Sequence, residues 1–156
     1  MSKIIATFGF IGLIPFAPGT FGSLAALPVW YLIVTLGGLW LLLGAIVLLF
    51  GIGTWATGVE TVGQANHDPG EIVIDEVVGQ WITLLPLSLG FGSVTLLYAL
   101  LGFALFRAFD ILKPWPVSWA DDMDTPLGVM LDDVIAGILA AIILAGLISM
   151  KGAFGV

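Results

Sequence analysis

The chain has 156 residues, of which 60% are hydrophobic and only 10% are charged, and its mean hydropathy is +1.16. A soluble domain of this length cannot bury so much apolar surface, so the composition excludes an ordinary soluble globule and indicates one integral membrane domain over residues 1–156. The net charge of −7 argues against nucleic-acid binding, and the lack of cysteine excludes disulfides, thiolate metal sites and a cysteine nucleophile.

Three uncharged stretches, 4–59, 77–106 and 134–150, hold several membrane passes, since about 20 apolar residues cross a bilayer as a helix. The first residues resemble a signal peptide, but no small-x-small cleavage site follows, so we treat the segment as retained. Prolines and a glycine in PFAPGTFGS interrupt any helix there. We therefore predict a first helix from Thr20 or Phe21 to before Gly37-Gly38, and a second from Trp40 to Val59.

Three more helices are predicted in the second half of the chain. The third begins at Asp68, an N-cap followed by proline, and runs to about Leu85. The fourth covers about 93–112 and stops before Pro114, and the fifth begins at the Asp124-Thr125-Pro126 start signal and continues to the end. We predict an irregular polar loop between them. The predicted fold is an all-α, polytopic membrane bundle of four helices if the short first one does not span, or five if it does.

This order of helices places nearly all charged groups, and the PFAPGTFGS loop, on one side of the membrane. Only Lys151 lies on the other side. Three of the four basic residues are on the acidic side, so the positive-inside rule predicts that this face, and the N-terminus, are cytoplasmic. We expect an acidic pocket at the cytoplasmic face.

Two similar segments, IDEVVG at 74–79 and LDDVIAG at 131–137, each place adjacent acids near a helix start, with a glycine deeper for close helix packing. Acidic side chains at that depth are costly unless they are paired or neutralised. The only nearby basic residues are Arg107 and Lys113, so salt bridges cannot neutralise all four acids. A bound hard cation resolves this, Mg²⁺ ahead of Mn²⁺ or Ca²⁺. The alternative is that both pairs are solvated charges at helix starts, favoured by the helix dipole.

Neighbouring helical side chains point about 100° apart, so we expect one acid of each pair to face the metal. The other acid would bind water, a second metal or Lys113. Arg107, Asp110 and Lys113 recur at a spacing of three in FRAFDILKPWP and share a helix face. Cations beside a metal site suit a phosphate group, although a basic helix end that reaches the membrane surface is the alternative.

PFAPGTFGS offers backbone N–H groups and hydroxyls at a helix start, which suits an anion, although a helix-packing role explains it equally well. His67 is interpreted as a polar loop residue rather than a general acid or base.

PGTFGS, GEIVIDEVVGQW, FRAFDILKPWP and GVMLDDVIAG resemble, in that order, the motifs of the phosphatidylglycerophosphatase A family, and together they cover nearly the whole chain. The resemblance implies a Mg²⁺-dependent phosphatase of the bacterial inner membrane, multi-pass, that converts phosphatidylglycerophosphate to phosphatidylglycerol and phosphate, one step before cardiolipin and other anionic phospholipids. Its partners would be this substrate and membrane lipid, and the sequence leaves the oligomeric state open.

On this interpretation the metal ligands are Asp75, Glu76, Asp132 and Asp133. Arg107, Lys113 and the Thr20 hydroxyl or adjacent backbone would bind phosphate, and Asp110 or Asp68 would orient the attacking water. Lys113 also counts among the catalytic residues. Water activated by the metal is the preferred nucleophile, and an aspartyl-phosphate intermediate is the alternative.

Two other classes of function remain at the level of sequence. A cation or proton transporter would also use acids in membrane helices, but such acids are expected near the midplane rather than at one face. A scaffold for other membrane proteins would not need converging acids.

Overall fold

The computed structural model describes residues 1–63, 68–90 and 95–154, with side chains described up to residue 150. Helix makes up 79% of the described residues, which contain no strand, and this confirms the predicted all-α class. The α-helices of this part of the chain, with a 3-10 turn at Ile11–Leu13 between the first two, are α1 (Ser2–Ala6), α2 (Pro18–Glu60), α3 (Ile74–Thr83), α4 (Leu85–Ser88), α5 (Leu96–Leu112), α6 (Val117–Asp121) and α7 (Pro126–Phe154).

Two helices in the described residues are long and apolar enough to cross a membrane: α2 and the Pro126–Met150 part of α7. This is fewer than the four or five predicted, because α3 has 10 residues, α5 has 17, and the single helix α2 covers the first two predicted helices. Large apolar side chains along α2 are exposed, among them Leu36, Trp40 and Leu48. An exposed apolar face of this extent suits contact with lipid.

α2 consists of two antiparallel legs, 18–37 and 39–60. The backbone leaves helical geometry at Gly38, with φ 62° and ψ −156°, a conformation open to glycine. Gly22 in the first leg packs on Val73, and Gly53 in the second leg packs on Ile74. A straight helix would hold those two glycines about 46 Å apart, so contacts with adjacent residues require the chain to reverse. The legs match the first and second predicted helices.

The predicted start of the third helix is wrong by five residues, because the N-cap is Val73 rather than Asp68. α3 begins at Ile74, and Asp68 is not its N-cap. The preceding segment uses its backbone in other bonds: the Ile72 N–H donates to the Pro69 carbonyl, and the Val73 N–H donates to the Ala6 carbonyl, both at 2.9 Å. A turn tied to the N-terminal helix therefore replaces the expected first turns of α3.

The other predicted boundaries differ less. α2 begins at Pro18, two residues early, because proline is tolerated in the first turn of a helix. α5 ends at Leu112 as predicted, and α7 begins at Pro126, where the Thr125 hydroxyl accepts a hydrogen bond from the Gly128 N–H at 3.1 Å. The predicted irregular loop contains the short helix α6, so that prediction is wrong in part.

α3 is buried at the centre, between α2, α5 and α7. Trp81 anchors it to the first leg of α2 by donating from Nε1 to the Ala26 carbonyl at 3.0 Å. Where α3 crosses α7, a Cβ on Gly137 would lie 3.1 Å from the Gly79 Cα. The glycine of each repeated segment thus permits close packing, as predicted, and brings the two acidic pairs together.

The helix ends that carry charge meet at one end of the bundle. Gly19, in the first turn of α2, packs on the Glu76 carboxyl and the Arg107 guanidinium. Gly58, near the last turn of α2, faces the Pro126 ring, where α7 begins. The two ends of α2, the start of α3, the end of α5 and the start of α7 therefore surround one site.

Candidate functional site

Three carboxylates from two helices converge at this end. Oxygen atoms of Asp75 and Glu76 in α3 and of Asp133 in α7 all lie within 4.8 Å of one another. Asp75 is 6% exposed and Asp133 is 3% exposed. Negative charges this close and this buried repel one another strongly unless protons or a cation neutralise them.

The chemistry of the cluster fits a hard metal ion. Glu76 Oε2 and Asp133 Oδ1 are buried and accept no hydrogen bond in the described part of the chain. Buried carboxylate oxygens normally have partners, so these atoms point to a ligand. Carboxylates from two helices are the donor set that Mg²⁺, Mn²⁺ or Ca²⁺ prefers.

The pKa values of the α3 acids agree with this crowding. Burial raises the pKa of Asp75 well above its ordinary value, and the charges of Glu76, Asp68 and Asp132 raise it further. Burial, followed by the charge of Asp133, raises the pKa of Glu76 to about 8. A cation bound among these groups would favour their charged forms.

Arg107 lies beside the cluster and connects three elements. Its Nη1 atom is 3.6 Å from Glu76 Oε1, forms an ion pair with Asp110, and lies 3.5 Å from Ser23 Oγ in α2. The Asp110 carboxyl is also within hydrogen-bonding reach of Asp133. The guanidinium therefore lies within reach of an anion bound at the cluster, with its planar donor fork suited to phosphate oxygens.

Lys113 and Asp132 form a separate pair next to the cluster. Lys113 Nζ donates to Asp132 Oδ2 at 2.8 Å and also binds Asp121. Burial lowers the pKa of the Lys113 ammonium, but the two ion pairs outweigh burial and raise it above its ordinary value. Lys113 ends α5 with a φ of 43°, which turns its side chain out of the helix register and toward α7.

The PGTFGS segment reaches the site through Gly19 rather than through a described contact of Thr20. A Cβ on Gly19 would overlap Glu76 Oε1 and lie 3.1 Å from Arg107 Nη1. Thr20 follows it in the first turn and is half-buried. Ser23, one turn later, donates to the Gly19 carbonyl at 2.8 Å and faces Arg107.

The structure gives less information on Asp68 and His67. Asp68 precedes α3 and lies close enough for its charge to act on Asp75 and Asp132. His67 lies outside the described residues.

Ser23, Asp121 and Gln80 were not predicted as site residues. Ser23 is recognisable in retrospect from its position four residues after Gly19, on the same helix face. Asp121 required the turn made by α6, for which the sequence has no periodic signal. Gln80 follows Glu76 by one turn, is fully buried, and its amide atoms have no partner among the described residues.

A helical bundle with exposed apolar helices and a buried carboxylate cluster at one end defines a membrane-associated protein with a candidate metal site. Comparison with known proteins identifies the family. The family model described as phosphatidylglycerophosphatase A matches residues 4–148. The chain belongs to the phosphatidylglycerophosphatase A family, and the predicted resemblance is confirmed.

The relatives agree over most of the chain. "Phosphatidylglycerophosphatase A" of Escherichia coli (strain K12) is 41% identical over 135 residues, 85% of this chain and 75% of the relative. The protein of the same name from Haemophilus influenzae is 40% identical over 133 residues, 85% of this chain and 79% of the relative. A Bacteroides thetaiotaomicron protein with the name "Putative phosphatidylinositol-3-phosphatase" is 38% identical over 138 residues, 86% of this chain and 85% of the relative.

These matches confirm that the protein is an enzyme, a phosphatase and therefore a hydrolase. They offer no support for a cation or proton transporter. No solved structure matches the chain.

Proposed function

We propose that this protein hydrolyses phosphatidylglycerophosphate to phosphatidylglycerol and inorganic phosphate. The observation that carries the proposal is the trio of buried carboxylates, Asp75, Glu76 and Asp133, with Arg107 beside it. This trio lies in a chain whose relatives in two bacteria are named phosphatidylglycerophosphatase A. A phosphomonoester needs a polyvalent cation and a guanidinium to balance its charge, and this end of the bundle supplies the ligands for both.

The carboxylates of Asp75, Glu76 and Asp133 would hold Mg²⁺. When bound, Mg²⁺ neutralises phosphate charge and makes a water molecule more acidic. Asp132, also predicted as a ligand, is paired with Lys113, so its role here is to hold that ammonium at the edge of the cluster. Because Asp132 and Asp133 are adjacent in α7, one turn of that helix both holds Lys113 and supplies a metal ligand.

Arg107 and Lys113 would bind the phosphate oxygens. Arg107 contacts Glu76 in the cluster and Asp110 beside it, and Lys113 contacts Asp132 beside it, so an entering phosphate exchanges these carboxylate partners for its own oxygens. Gly19 leaves room for this exchange because it has no side chain next to Glu76 and Arg107. The Thr20 hydroxyl, or the backbone beside it, would complete the contacts on the side of α2.

Asp110 or Asp68 would orient the water and accept its proton. Asp110 reaches both Arg107 and Asp133, which makes it the better placed of the two. Water adds to phosphorus, the ester bond to the lipid breaks, and the departing lipid alcohol takes up a proton. Direct attack by a carboxylate, with an aspartyl-phosphate intermediate, is the second route.

We place the enzyme in the bacterial inner membrane as a multi-pass protein, with the acidic end in the cytoplasm. Lys3, Arg107 and Lys113 lie on the acidic side in the predicted topology, which supports that orientation. Its partners are the lipid substrate and the surrounding membrane.

The substrate is tested by comparing three phosphomonoester lipids with purified protein in detergent and Mg²⁺. The substrates are phosphatidylglycerophosphate, phosphatidylinositol 3-phosphate and phosphatidic acid, and the measurement is phosphate release. We expect kcat/KM at least about tenfold higher for phosphatidylglycerophosphate, a preference of about 1.4 kcal/mol. Equal or faster release from either other lipid would overturn the substrate assignment.

A further inference from the structure

Beside the carboxylate cluster lies an apolar groove of about 240 Å³. Aliphatic and aromatic side chains alone line it. Its lining includes Val47 and Phe50 from the second leg of α2, Val78 and Ile82 from α3, and Leu131 and Val134 from α7. Val78 and Ile82 are buried at its floor, whereas Val47 is 73% exposed at its rim.

Residues that line the groove are neighbours in sequence of the acidic residues at the site. Leu131 precedes Asp132, Val134 follows Asp133, and Val78 lies one turn after Asp75. Neighbouring side chains of α7 point about 100° apart, so Leu131 and Val134 face the groove while Asp133 faces the cluster. In α3, Val78 lies on the same helix face as Asp75, one turn deeper. The polar site and the apolar groove therefore lie side by side along α3 and α7.

The groove is open to the region that lipid would occupy. Two of its walls belong to the helices that are long and apolar enough to cross a membrane. A polar site joined to an apolar groove has the shape of an amphiphile, with a place for a charged headgroup and a place for a hydrocarbon chain. A second copy of the chain would explain the apolar groove but not its continuity with the carboxylates.

We propose that the groove binds one acyl chain of the lipid whose phosphate enters the carboxylate cluster. This inference rests on the proposed function and adds to it a specificity for chain length. A short-chain substrate dissolved in water gains affinity for an apolar groove by about fourfold with each added methylene, whereas a tail that leaves lipid gains only from its fit to the groove. The enzyme should therefore distinguish substrates by their tails as well as by their headgroups.

The first test fills the groove from its rim. Val47→Trp adds a large side chain at an exposed position and leaves the carboxylates untouched. Leu48→Trp is the matched control, because Leu48 is 65% exposed on the same leg and is not part of the groove lining. Each protein is assayed at one detergent concentration with dibutanoyl and dioctanoyl phosphatidylglycerophosphate.

The readout is the ratio of the two KM values. In the wild type and in Leu48→Trp, KM should be lower for the dioctanoyl substrate, and Val47→Trp should reduce that advantage at least tenfold. A ratio that is the same in Val47→Trp and Leu48→Trp would overturn the proposal, because the groove would then hold only bulk lipid.

A second test does not depend on turnover. Phosphatidylglycerol with a diazirine in one acyl chain is photolysed with the protein, and the labelled peptides are mapped by mass spectrometry. We expect label in 46–50 and 131–134 of the wild type and of Leu48→Trp, with loss of that label in Val47→Trp. Label confined to other segments, or unchanged in Val47→Trp, would overturn the groove assignment whether or not the enzyme hydrolyses phosphatidylglycerophosphate. Failure of hydrolysis alone would overturn the proposed function.

A third measurement tests the competing occupant. The chain has no cysteine, so Val47→Cys supplies a single thiol at the rim of the groove. An intermolecular disulfide formed in high yield at this position would show that a second copy covers the groove, and would overturn the proposal. The proposal would be supported if the Val47→Cys protein stays monomeric and dioctanoyl phosphatidylglycerophosphate protects its thiol from reaction with maleimide.

Discussion

Lys113 Nζ donates to Asp132 Oδ2 at 2.8 Å, and this bond separates the two adjacent acids of α7. Asp132 faces the end of α5, whereas Asp133 faces α3 and its acids. Both carboxyls are buried, but only Asp133 belongs to the cluster that could hold a metal. We therefore expect substitutions at the two positions to act differently, at Asp132 through an ion pair and at Asp133 through metal binding.

Removing the ammonium from this pair should destabilise the protein. Lys113→Met leaves the Asp132 carboxylate buried without its cation, which costs about 3 kcal/mol in the free energy of unfolding. In the double variant Lys113→Met with Asp132→Asn, most of that loss should disappear. Lys3→Met is the matched control, since the bond from Lys3 to Glu71 is 3.5 Å long and half exposed, and it should cost under about 1 kcal/mol.

Denaturant unfolding in detergent micelles measures all of these variants. Strictly additive effects of Lys113→Met and Asp132→Asn would contradict the pairing.

Close packing of α3 on α7 should be needed for both stability and activity. A Cβ on Gly79 would lie 2.6 Å from the Asp133 carbonyl oxygen and would also meet the Phe106 ring. Gly79→Ala therefore forces the helices apart and should cost about 1–3 kcal/mol of stability. Gly146→Ala in α7, where the added Cβ has open space, should be neutral or slightly stabilising. Equal thermal unfolding midpoints for Gly79→Ala and Gly146→Ala would refute the close packing of α3 on α7.

Gly19 provides a third prediction, on phosphate binding. Gly19→Ala pushes a methyl group into the Glu76 carboxyl and toward Arg107, so KM for the lipid phosphate should rise and the affinity for Mg²⁺ should fall, each roughly tenfold. Gly44→Ala lies in the other leg of the same helix with open space around it and should leave both values unchanged. Steady-state kinetics across a Mg²⁺ titration gives both quantities. Wild-type kinetics in Gly19→Ala would remove the PGTFGS segment from the site.

Much of this architecture follows from local sequence. Proline and glycine signals predicted the turn at Gly37-Gly38, the end of α5 and the start of α7, because these residues constrain the backbone directly. The start of α3 was predicted wrongly because the cap signal at Asp68 competes with tertiary bonds, above all the one from Val73 to Ala6. Such bonds depend on how the N-terminal segment packs and leave no trace in local propensity.

The candidate site shows the same division. The repeat of acidic pairs predicted that four carboxyls gather; three of them, Asp75, Glu76 and Asp133, lie together, and Asp132 lies beside them in an ion pair with Lys113. Which acid of a pair faces which partner depends on the rotation of α3 against α7, set by the contact of Gly79 with Gly137. Ser23 and Asp121 likewise reach the site through the folding of α2 and α6, so sequence spacing alone did not select them.

Metal binding should change how stability depends on pH. Glu76 has an ordinary pKa of 4.5 when unfolded and about 8 in the folded protein, so its contribution is fully present below pH 4.5 and is lost as pH rises through about 8. The thermal midpoint of the metal-free protein should therefore fall between pH 6 and pH 9. Because Mg²⁺ binds the charged carboxylates, the stabilisation by Mg²⁺ should be larger at pH 9.

Glu76→Gln should weaken this pH dependence, whereas Glu71→Gln, on the exposed ion pair with Lys3, should keep it. Scanning fluorimetry with and without Mg²⁺ at both pH values gives the comparison. A metal-free midpoint that rises from pH 6 to pH 9 would contradict the buried acidic cluster.

The most direct measurement is phosphate release from phosphatidylglycerophosphate by the purified protein, with Mg²⁺ or with a chelator. Asp75→Asn and Asp133→Asn are compared with Asp122→Asn, which changes an exposed acid outside the cluster. We predict that chelation and each cluster substitution lower kcat/KM by on the order of a hundredfold or more, while Asp122→Asn keeps wild-type activity. Undiminished release in the chelator, or in either folded cluster variant, would contradict a metal-dependent phosphatase site at Asp75, Glu76 and Asp133.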